Sequence, residues 1–373
     1  TTGSVTVTAK TTETGYTLQT SKDGKTWSNT ASQTFTENGT MYARLTDGKI
    51  TGGMATASVT NIIADRSGIK VGDYVNYTPD SASAYSKSKL SSSITGSSNN
   101  SSDLTQETLT WQVLRKYDNG AIDLIGSRTN KDIAFQGAVG YNNGVYVLND
   151  ICKNLYSKPS KGITARSVNI EDMEKWLTEE GKTAKANYVE AKSNIIYGKS
   201  KTYTGNYSSR PDIYGKTDNN SDPYYSEPKL TDHIIQGSNT TTLNVKQTLY
   251  GMDINSTNYG DGAEVFKTYS NGYWLATRAT SCQVNYARFS LLAVNSDPDY
   301  STCGIASYVM FVSNYSSGDI YGRYRLRPVV TLNPNIKITP CTGTNSSSNM
   351  HTINWPKYGI KFTYSTSEKT TES

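Results

Sequence analysis

Two apolar-dense segments, YWLATR (Tyr273 to Arg278) and YRLRPVVTL (Tyr324 to Leu332), constrain this chain most. Trp274, Leu275, Leu326, Val329 and Val330 are residues that fold inward, so the two segments must pack as a frame. Between them runs an irregular succession of Asn, Tyr, Ser, Asp and Arg. A stiff frame around Tyr, Ser, Asn and Gly has the composition of a binding surface. Tyr gives rigid amphipathic contact area, and the small polar residues give adaptable hydrogen bonds.

The chain has 373 residues, enough for two or three domains. It is 35% hydrophobic but only 18% charged, so a core is available while the polarity comes from Ser, Thr, Asn and 28 Tyr. That mixture suits exposed β-structure. The net charge of +5 is spread over 37 basic and 32 acidic residues with no Lys/Arg block, which argues against nucleic acid as a partner. Cys152, Cys282, Cys303 and Cys341 form no Cys-x-x-Cys pair, which disfavours zinc and thioredoxin-type chemistry. Cys282 and Cys303 both lie inside the irregular stretch, where a loop-bracing disulfide and two buried thiols fit equally well. No apolar run approaches the roughly 18 residues of a membrane span. The chain opens at Thr1 without Met or a signal peptide. A targeting segment is therefore expected upstream, and membrane contact only through such an absent N-terminal segment.

Residues 1–63 read as a small β-domain. SVTVTA, GYTLQTS and TMYARLTDGK alternate, and Asp23-Gly24 and Asp47-Gly48 mark turns between them. A second domain is expected over 64–338. Within it, the Ser/Asn-rich stretch 81–109 reads as a mobile loop. TWQVLRKYDNGAIDLIGS then predicts a hairpin at Asp118-Asn119-Gly120. Val145, Leu148, Ile151, Cys152 and Leu155 recur at helical spacing. VNIEDMEKWLTEEG predicts a second helix with Asn169 as N-cap and Gly181 past its end. Residues 182–258 should be long loops and short strands. Residues 339–373 read as a polar tail with an aromatic island at Trp355 and Tyr358 that docks on the body or forms an edge strand. Strands, a hairpin, two helices, then strands again is an α+β order.

Catalytic chemistry finds little footing. The two histidines, His233 and His351, lack a nucleophile-elbow motif near them, and no glycine-rich phosphate loop follows a strand. Asp297, Asp299 and Asp319 offer too few oxygens for calcium, which takes about six to eight. No metal or cofactor is expected. Arg278 and Arg327 sit in apolar surroundings, which favours buried pairing over ligand capture.

Two resemblances follow from these motifs. SKDGKTW together with SVTNI resembles bacterial immunoglobulin-like surface modules, which usually act as stalks. KVGDYVNYTPD, TWQVL, GYNNGVYVLNDICKNLYS, TARSVNIEDMEKWL and YWLATR with LRPVV together resemble surface proteins of Gram-positive gut bacteria and their phages. Those proteins often carry a prepilin-like helix. Their C-terminal region is similar to the C-type-lectin-fold variable proteins of diversity-generating retroelements. The resemblance spans 69–332 and implies an α+β C-type-lectin-like domain preceded by an all-β Ig-like sandwich. It implies scaffold roles for Trp274, Leu275, Arg278, Leu326, Arg327 and Pro328, with Ala287, Phe289 and Val294 inward. It implies ligand contacts at Asn285, Tyr286, Arg288, Asn295, Asp297, Asp299 and Tyr300. A second group is Tyr308, Asn314, Tyr315, Asp319, Tyr321, Arg323 and Tyr324. The stretch NSDPDYSTC (Asn295 to Cys303) is longer than the family pattern. Formylglycine-generating oxidases share that scaffold, but their copper chemistry needs paired cysteines with a supporting environment that Cys282 and Cys303 do not have.

The expected protein is thus a non-enzymatic extracellular adhesin on a cell surface or pilus. Its partner would be a protein or glycan receptor. The rivals are a structural pilin or shaft subunit, a phage tail receptor-binding protein in a virion, and, last, an enzyme.

Overall fold

A computed structural model describes residues 4–60, 62–191, 200–205, 241–246, 252–268, 271–282, 287–297, 302–312 and 321–355. The N-terminal strands are β1 (Val5–Thr8), β2 (Thr17–Ser21), β3 (Ser32–Phe35), β4 (Gly39–Thr46) and β5 (Ala55–Val59). They form a two-stranded sheet, β1-β3, and a three-stranded sheet, β2-β4-β5. The alternating pattern buries Phe35, Met41 and Val59 with Ile62. Asp23 closes its turn by accepting hydrogen bonds from the Lys25 and Thr26 amides, at 2.8 and 2.7 Å.

The body begins with β6 (Tyr74–Val75) and α1 (Ser92–Thr95), followed by β7 (Trp111–Lys116), β8 (Ile122–Gly126) and β9 (Asp132–Gln136). Next come α2 (Gly137–Tyr156), β10 (Ala165–Ser167), α3 (Ile170–Glu174), α4 (Glu179–Ala191), β11 (Ser200–Gly205), β12 (Thr241–Lys246), α5 (Ser256–Tyr259) and α6 (Gly262–Phe266). The chain ends in β13 (Tyr273–Cys282), β14 (Ala287–Asp297), β15 (Thr302–Val312), β16 (Tyr321–Arg325), β17 (Pro328–Leu332), β18 (Lys337–Thr339) and β19 (Thr352–Asn354). Two five-stranded sheets dominate, β10-β17-β8-β7-β6 and β15-β14-β13-β16-β9.

Central strands of both sheets bury apolar residues on both faces. Trp274, Leu291 and Ala293 join one core with Leu148, Ile151 and Leu155 of α2, and with Val113, Leu124 and Val330 of the first sheet. Their strand neighbours Tyr273, Leu275, Leu292 and Val294 join a second core with Ile125, Val329, Met173 and Phe266. The period of two along a strand makes this division. Burying one Leu or Val side chain stabilises by about 1.5–3 kcal/mol.

The expectation of an α+β C-type-lectin-like domain behind an all-β Ig-like sandwich is corrected by this arrangement. Strand makes up 37% and helix 20% of the described chain, spread over six sheets, and no clear C-type-lectin fold results. The reason is physical. Strands covered on both faces lose the polar–apolar alternation that marks a half-buried strand. The Tyr/Ser/Asn-rich run after Cys282 therefore reads as loop while it supplies β14 and β15.

The Asp118-Asn119-Gly120 hairpin joins β7 to β8, with Gly120 at φ 86°. Asn169 caps α3 in a reciprocal box with Asp172. This helix stops at Glu174, however, and Gly181 lies inside α4 rather than past a helix end. A Cβ on Gly181 would stand 2.1 Å from the Asn258 carbonyl oxygen, so glycine there permits a close approach to α5.

The segment 81–109, expected as a mobile loop, is packed. Tyr85, Leu90 and Leu104 are buried, and the Tyr85 hydroxyl donates to Asp150 at 2.8 Å. Asn100 acts as a strand partner for β9, donating to the Ala134 carbonyl and accepting from its amide, both at 2.9 Å. The polar side chains that made the segment look loose satisfy buried backbone here. The tail is likewise docked as far as Trp355. Ile338 and Ile353 enter the main core, and the Trp355 ring meets Tyr77 edge-on at 6.2 Å. His351 bridges Val75, donates from its amide to the Tyr74 carbonyl, and accepts the Asn76 amide at its own carbonyl. Its Nε2 lies 3.0 Å from Asp73 Oδ2, while its Nδ1 accepts from the Cys341 amide at 3.0 Å. Tyr358 lies outside the described residues.

One buried charge network ties the first sheet to α3. Arg166 grips Asp172 with two bonds of 2.6 and 2.7 Å. Arg115 stands between Asp172 and Asp123, at 4.0 and 3.9 Å. Asp123 also accepts from the Tyr117 and Thr331 hydroxyls. Two guanidinium groups thus face two carboxylates.

Candidate functional site

Trp274 centres the frame. It is fully buried, and its indole Nε1 donates to the Ile133 carbonyl at 2.8 Å. Phe135, Tyr324 and Tyr308 surround it edge-on, with ring centroids 5.6, 4.9 and 5.9 Å away. Tyr308 and Tyr324 meet each other at 4.5 Å. Each such pair adds about 0.5–1.5 kcal/mol beyond its buried area. A Cβ on Gly322 would come within 2.7 Å of Trp274, and one on Gly272 within 2.1 Å of the Val294 carbonyl oxygen. Burial, then the hydrogen bond with Tyr308, pushes the Tyr324 phenol pKa well above the ordinary tyrosine range.

The frame residues hold specific contacts. Arg278 donates from Nε to the Tyr141 carbonyl at 3.0 Å and stacks over that ring at 5.6 Å. Arg327, 6% exposed, donates from Nε to the Gly126 carbonyl at 3.0 Å and from Nη1 to the Tyr273 hydroxyl at 3.4 Å. Pro328 opens β17 opposite Ser167. Leu275 and Leu326 are buried. Phe289 sits on β14 opposite Thr280 and Phe311, with its side chain outside the described residues.

Among the described residues, the expected contacts are not gathered on one face. Tyr308 and Tyr324 are half-buried against Trp274 and belong to the frame. Asn295 is half-buried opposite Gly304, and Tyr321 lies opposite Gln136. Arg288 and Asp297 lie near opposite ends of β14, opposite Val312 and Thr302 respectively. Strands rise about 3.3 Å per residue, so those two positions are about 30 Å apart. Cys282 and Ala287 therefore stand at one end of the β13-β14-β15 meander, and Asp297 and Thr302 at the other. Asn285, Tyr286, Asp299, Tyr300, Asn314, Tyr315 and Asp319 lie outside the described residues.

The same register decides against the disulfide, one of the two equal readings of Cys282 and Cys303. Cys303 pairs with Ser296 and Cys282 with Ala287, nine residues apart on β14 (296 − 287). That is about 30 Å, whereas a disulfide needs Cα atoms within about 7 Å. Cys303 is a buried free thiol whose sulfur accepts from the Thr268 amide, and burial pushes its pKa up.

Arg323 is exposed. Its Nε lies 3.2 Å from Asp132 Oδ2, and Arg325 Nε lies 3.5 Å from Asp132 Oδ1. Arg128 reaches the Asn271 carbonyl with its Nη1. Burial first, then the neighbouring Arg325 and Arg327, pull the Arg128 pKa below the ordinary arginine value. Sequence reasoning passed over Arg128 and Arg325. The signal for Arg325 was present, because GRYRLRP places arginine at every second position from Arg323 to Arg327. Among the described residues no three of His, Cys, Asp and Glu converge as metal ligands, and no helix is long and apolar enough to cross a membrane. His233 lies outside the described residues.

No protein-family model, curated protein or solved structure matches this chain.

Proposed function

We propose that this chain is an extracellular recognition protein of a cell surface or pilus. It binds a protein or glycan receptor through the Tyr-, Asn- and Asp-rich connections of its second large sheet. The supporting observation is the rigid aromatic frame around Trp274, from whose strands those connections depart. Binding residues concentrate on connections held by a stiff scaffold, because the scaffold removes the entropy cost of ordering them. Recognition here is non-covalent: Tyr rings stack, while Asn and Asp orient the partner by hydrogen bonds. Because the contacts depart from opposite ends of β14, the reading favours one end at a time for a small ligand. Variation of these connections by a retroelement predicts a near-copy of the coding stretch beside a reverse transcriptase.

The decisive experiment replaces Tyr286, Tyr315 and Tyr321 together by Ala and probes the intact chain on glycan and receptor arrays. Loss of capture with an unchanged melting curve supports the reading. Capture that survives, or a chain that no longer folds, sinks it.

A further inference from the structure

A cleft of about 440 Å³ opens where the N-terminal unit meets the body. Three pieces of chain line it: Asn38 with the residues that follow β5, the β7–β8 turn at Asn119, and residues 333–335 after β17. Each piece is fixed. Asn38 donates from Nδ2 to the Thr60 carbonyl at 3.0 Å and accepts the Ile62 amide at Oδ1, at 2.8 Å. The Ala64 amide donates to the Pro334 carbonyl at 2.9 Å. Ile63 seats on Gly120, where a Cβ would stand 2.1 Å from Ile63 Cγ2. Arg66, 9% exposed, ties the other two pieces together. It donates from Nε to the Gly120 carbonyl at 3.3 Å and from Nη2 to the Asn333 carbonyl at 3.5 Å. Walls held in this way need little ordering when a ligand arrives.

The lining is chemically uniform. Among the described residues it combines side-chain amides and one hydroxyl with the aliphatic surface of Ile62, Ile63 and Pro334, and it holds no charged or aromatic group. Asn38 spends both ends of its amide on the chain. Asn119 and Asn333 do not. Asn119 accepts the Ala121 amide at Oδ1, at 3.0 Å, and its NH₂ group donates to no described residue. The Asn333 side chain makes no hydrogen bond to a described residue. Both side chains are exposed and border the same cleft from different turns. A cleft of this volume lies in the range of small-molecule sites, about 300–1,000 Å³, where a few polar groups over apolar surface set a ligand's orientation.

We propose that this junction cleft binds a neutral saccharide, with Asn119 and Asn333 as its hydroxyl contacts. A side-chain amide offers donors and an acceptor in one plane, and a sugar hydroxyl is both donor and acceptor, so the two groups match without any charge. Ile62, Ile63 and Pro334 supply apolar surface for the C–H face of the ring. An acidic ligand would lose water here without gaining a charged partner. A peptide presents its amides along one edge, which a strand edge reads and two side chains on separate turns do not. The site stands apart from the connections of the second large sheet and does not depend on the recognition reading.

The test is saturation-transfer NMR on the intact chain with glucose, galactose, mannose and N-acetylglucosamine, and with glucuronate and tri-alanine as controls. At least one neutral sugar should receive saturation, and its affinity should not change with salt, because no charge is engaged. N333A removes one amide at an exposed position. N119D keeps the Oδ1 acceptor of its turn and loses the donors. Each should weaken sugar binding roughly tenfold with an unchanged melting temperature. If N333A does not fold, N119D decides. Absence of binding by all four neutral sugars overturns the inference, as does unchanged affinity in a folded N333A or N119D chain. Stronger binding of tri-alanine or glucuronate than of every neutral sugar overturns it too. Replacing Tyr286, Tyr315 and Tyr321 by Ala should leave the sugar signal intact. Loss of the signal in that variant but not in N333A moves the sugar to the second large sheet and overturns the cleft. Loss in N333A alone supports the cleft, whether or not the recognition surface stands.

Discussion

Replacing Asp172 by Ala should cost the body about 3 kcal/mol. The carboxylate is 2% exposed, accepts both Arg166 bonds, and caps the Asn169 amide at 3.0 Å. Breaking a buried pair by removing one partner costs about 3–5 kcal/mol, and a lost cap about 1 kcal/mol. The Arg166 side chain is 35% exposed, so it rehydrates when released and the total falls toward the low end. Arg115, 12% exposed, keeps Asp123. Urea unfolding followed by tryptophan fluorescence reads the loss as a midpoint shift of about 1 M. Trp27 belongs to the N-terminal unit, under Arg44 at 4.0 Å, so a W27F background restricts the signal to the body. D172N keeps an oxygen for the Asn169 amide and should lose less than D172A. A loss below about 1 kcal/mol in D172A, or equal losses in D172A and D172N, refutes the charge-network reasoning.

Gly272→Ala should destabilise by more than about 3 kcal/mol, because the new Cβ meets the Val294 backbone oxygen rather than a side chain that can turn away; a melting temperature within a few degrees of the parent chain counts against it. Burial pushes the phenols of Tyr77, Tyr156 and Tyr324 upward, and that of Tyr273 up to about 12. A raised phenol pKa contributes stability in full below the ordinary value near 10, and that contribution is lost as pH rises through the folded value. Tyrosinate absorbance should therefore rise in two stages, the second coinciding with loss of far-ultraviolet circular dichroism, and a single smooth rise on a folded chain contradicts the burial of these rings.

Much of the local structure is legible in the residues. The Asp-Gly turns, the Asp118-Asn119-Gly120 hairpin, the α2 periodicity and the Asn169 cap all follow from short-range chemistry. The sheets are not. Leu291 and Leu292 face different cores, so their strand shows no alternation to read. Asn100 and Tyr85 look like loop residues until Ala134 and Asp150 are placed opposite them. At the candidate site, the frame is visible as large apolar residues, but Tyr308 and Tyr324 carry the same letters whether they meet a ligand or Trp274. The separation of Arg288 from Asp297 is a matter of register, which no local pattern near them encodes.

The parallel bridge between Val75 and His351 has a mechanical consequence. The stretch that opens the body lies beside the last described stretch, and the two run in the same direction. Tension between the N-terminal unit and the residues beyond Trp355 therefore loads that junction in shear, with the Asn76–His351 and His351–Tyr74 bonds bearing it side by side. Val75 sits on β6, the edge strand of the first large sheet, whereas Trp274 lies on β13 of the second, which does not carry the bridge.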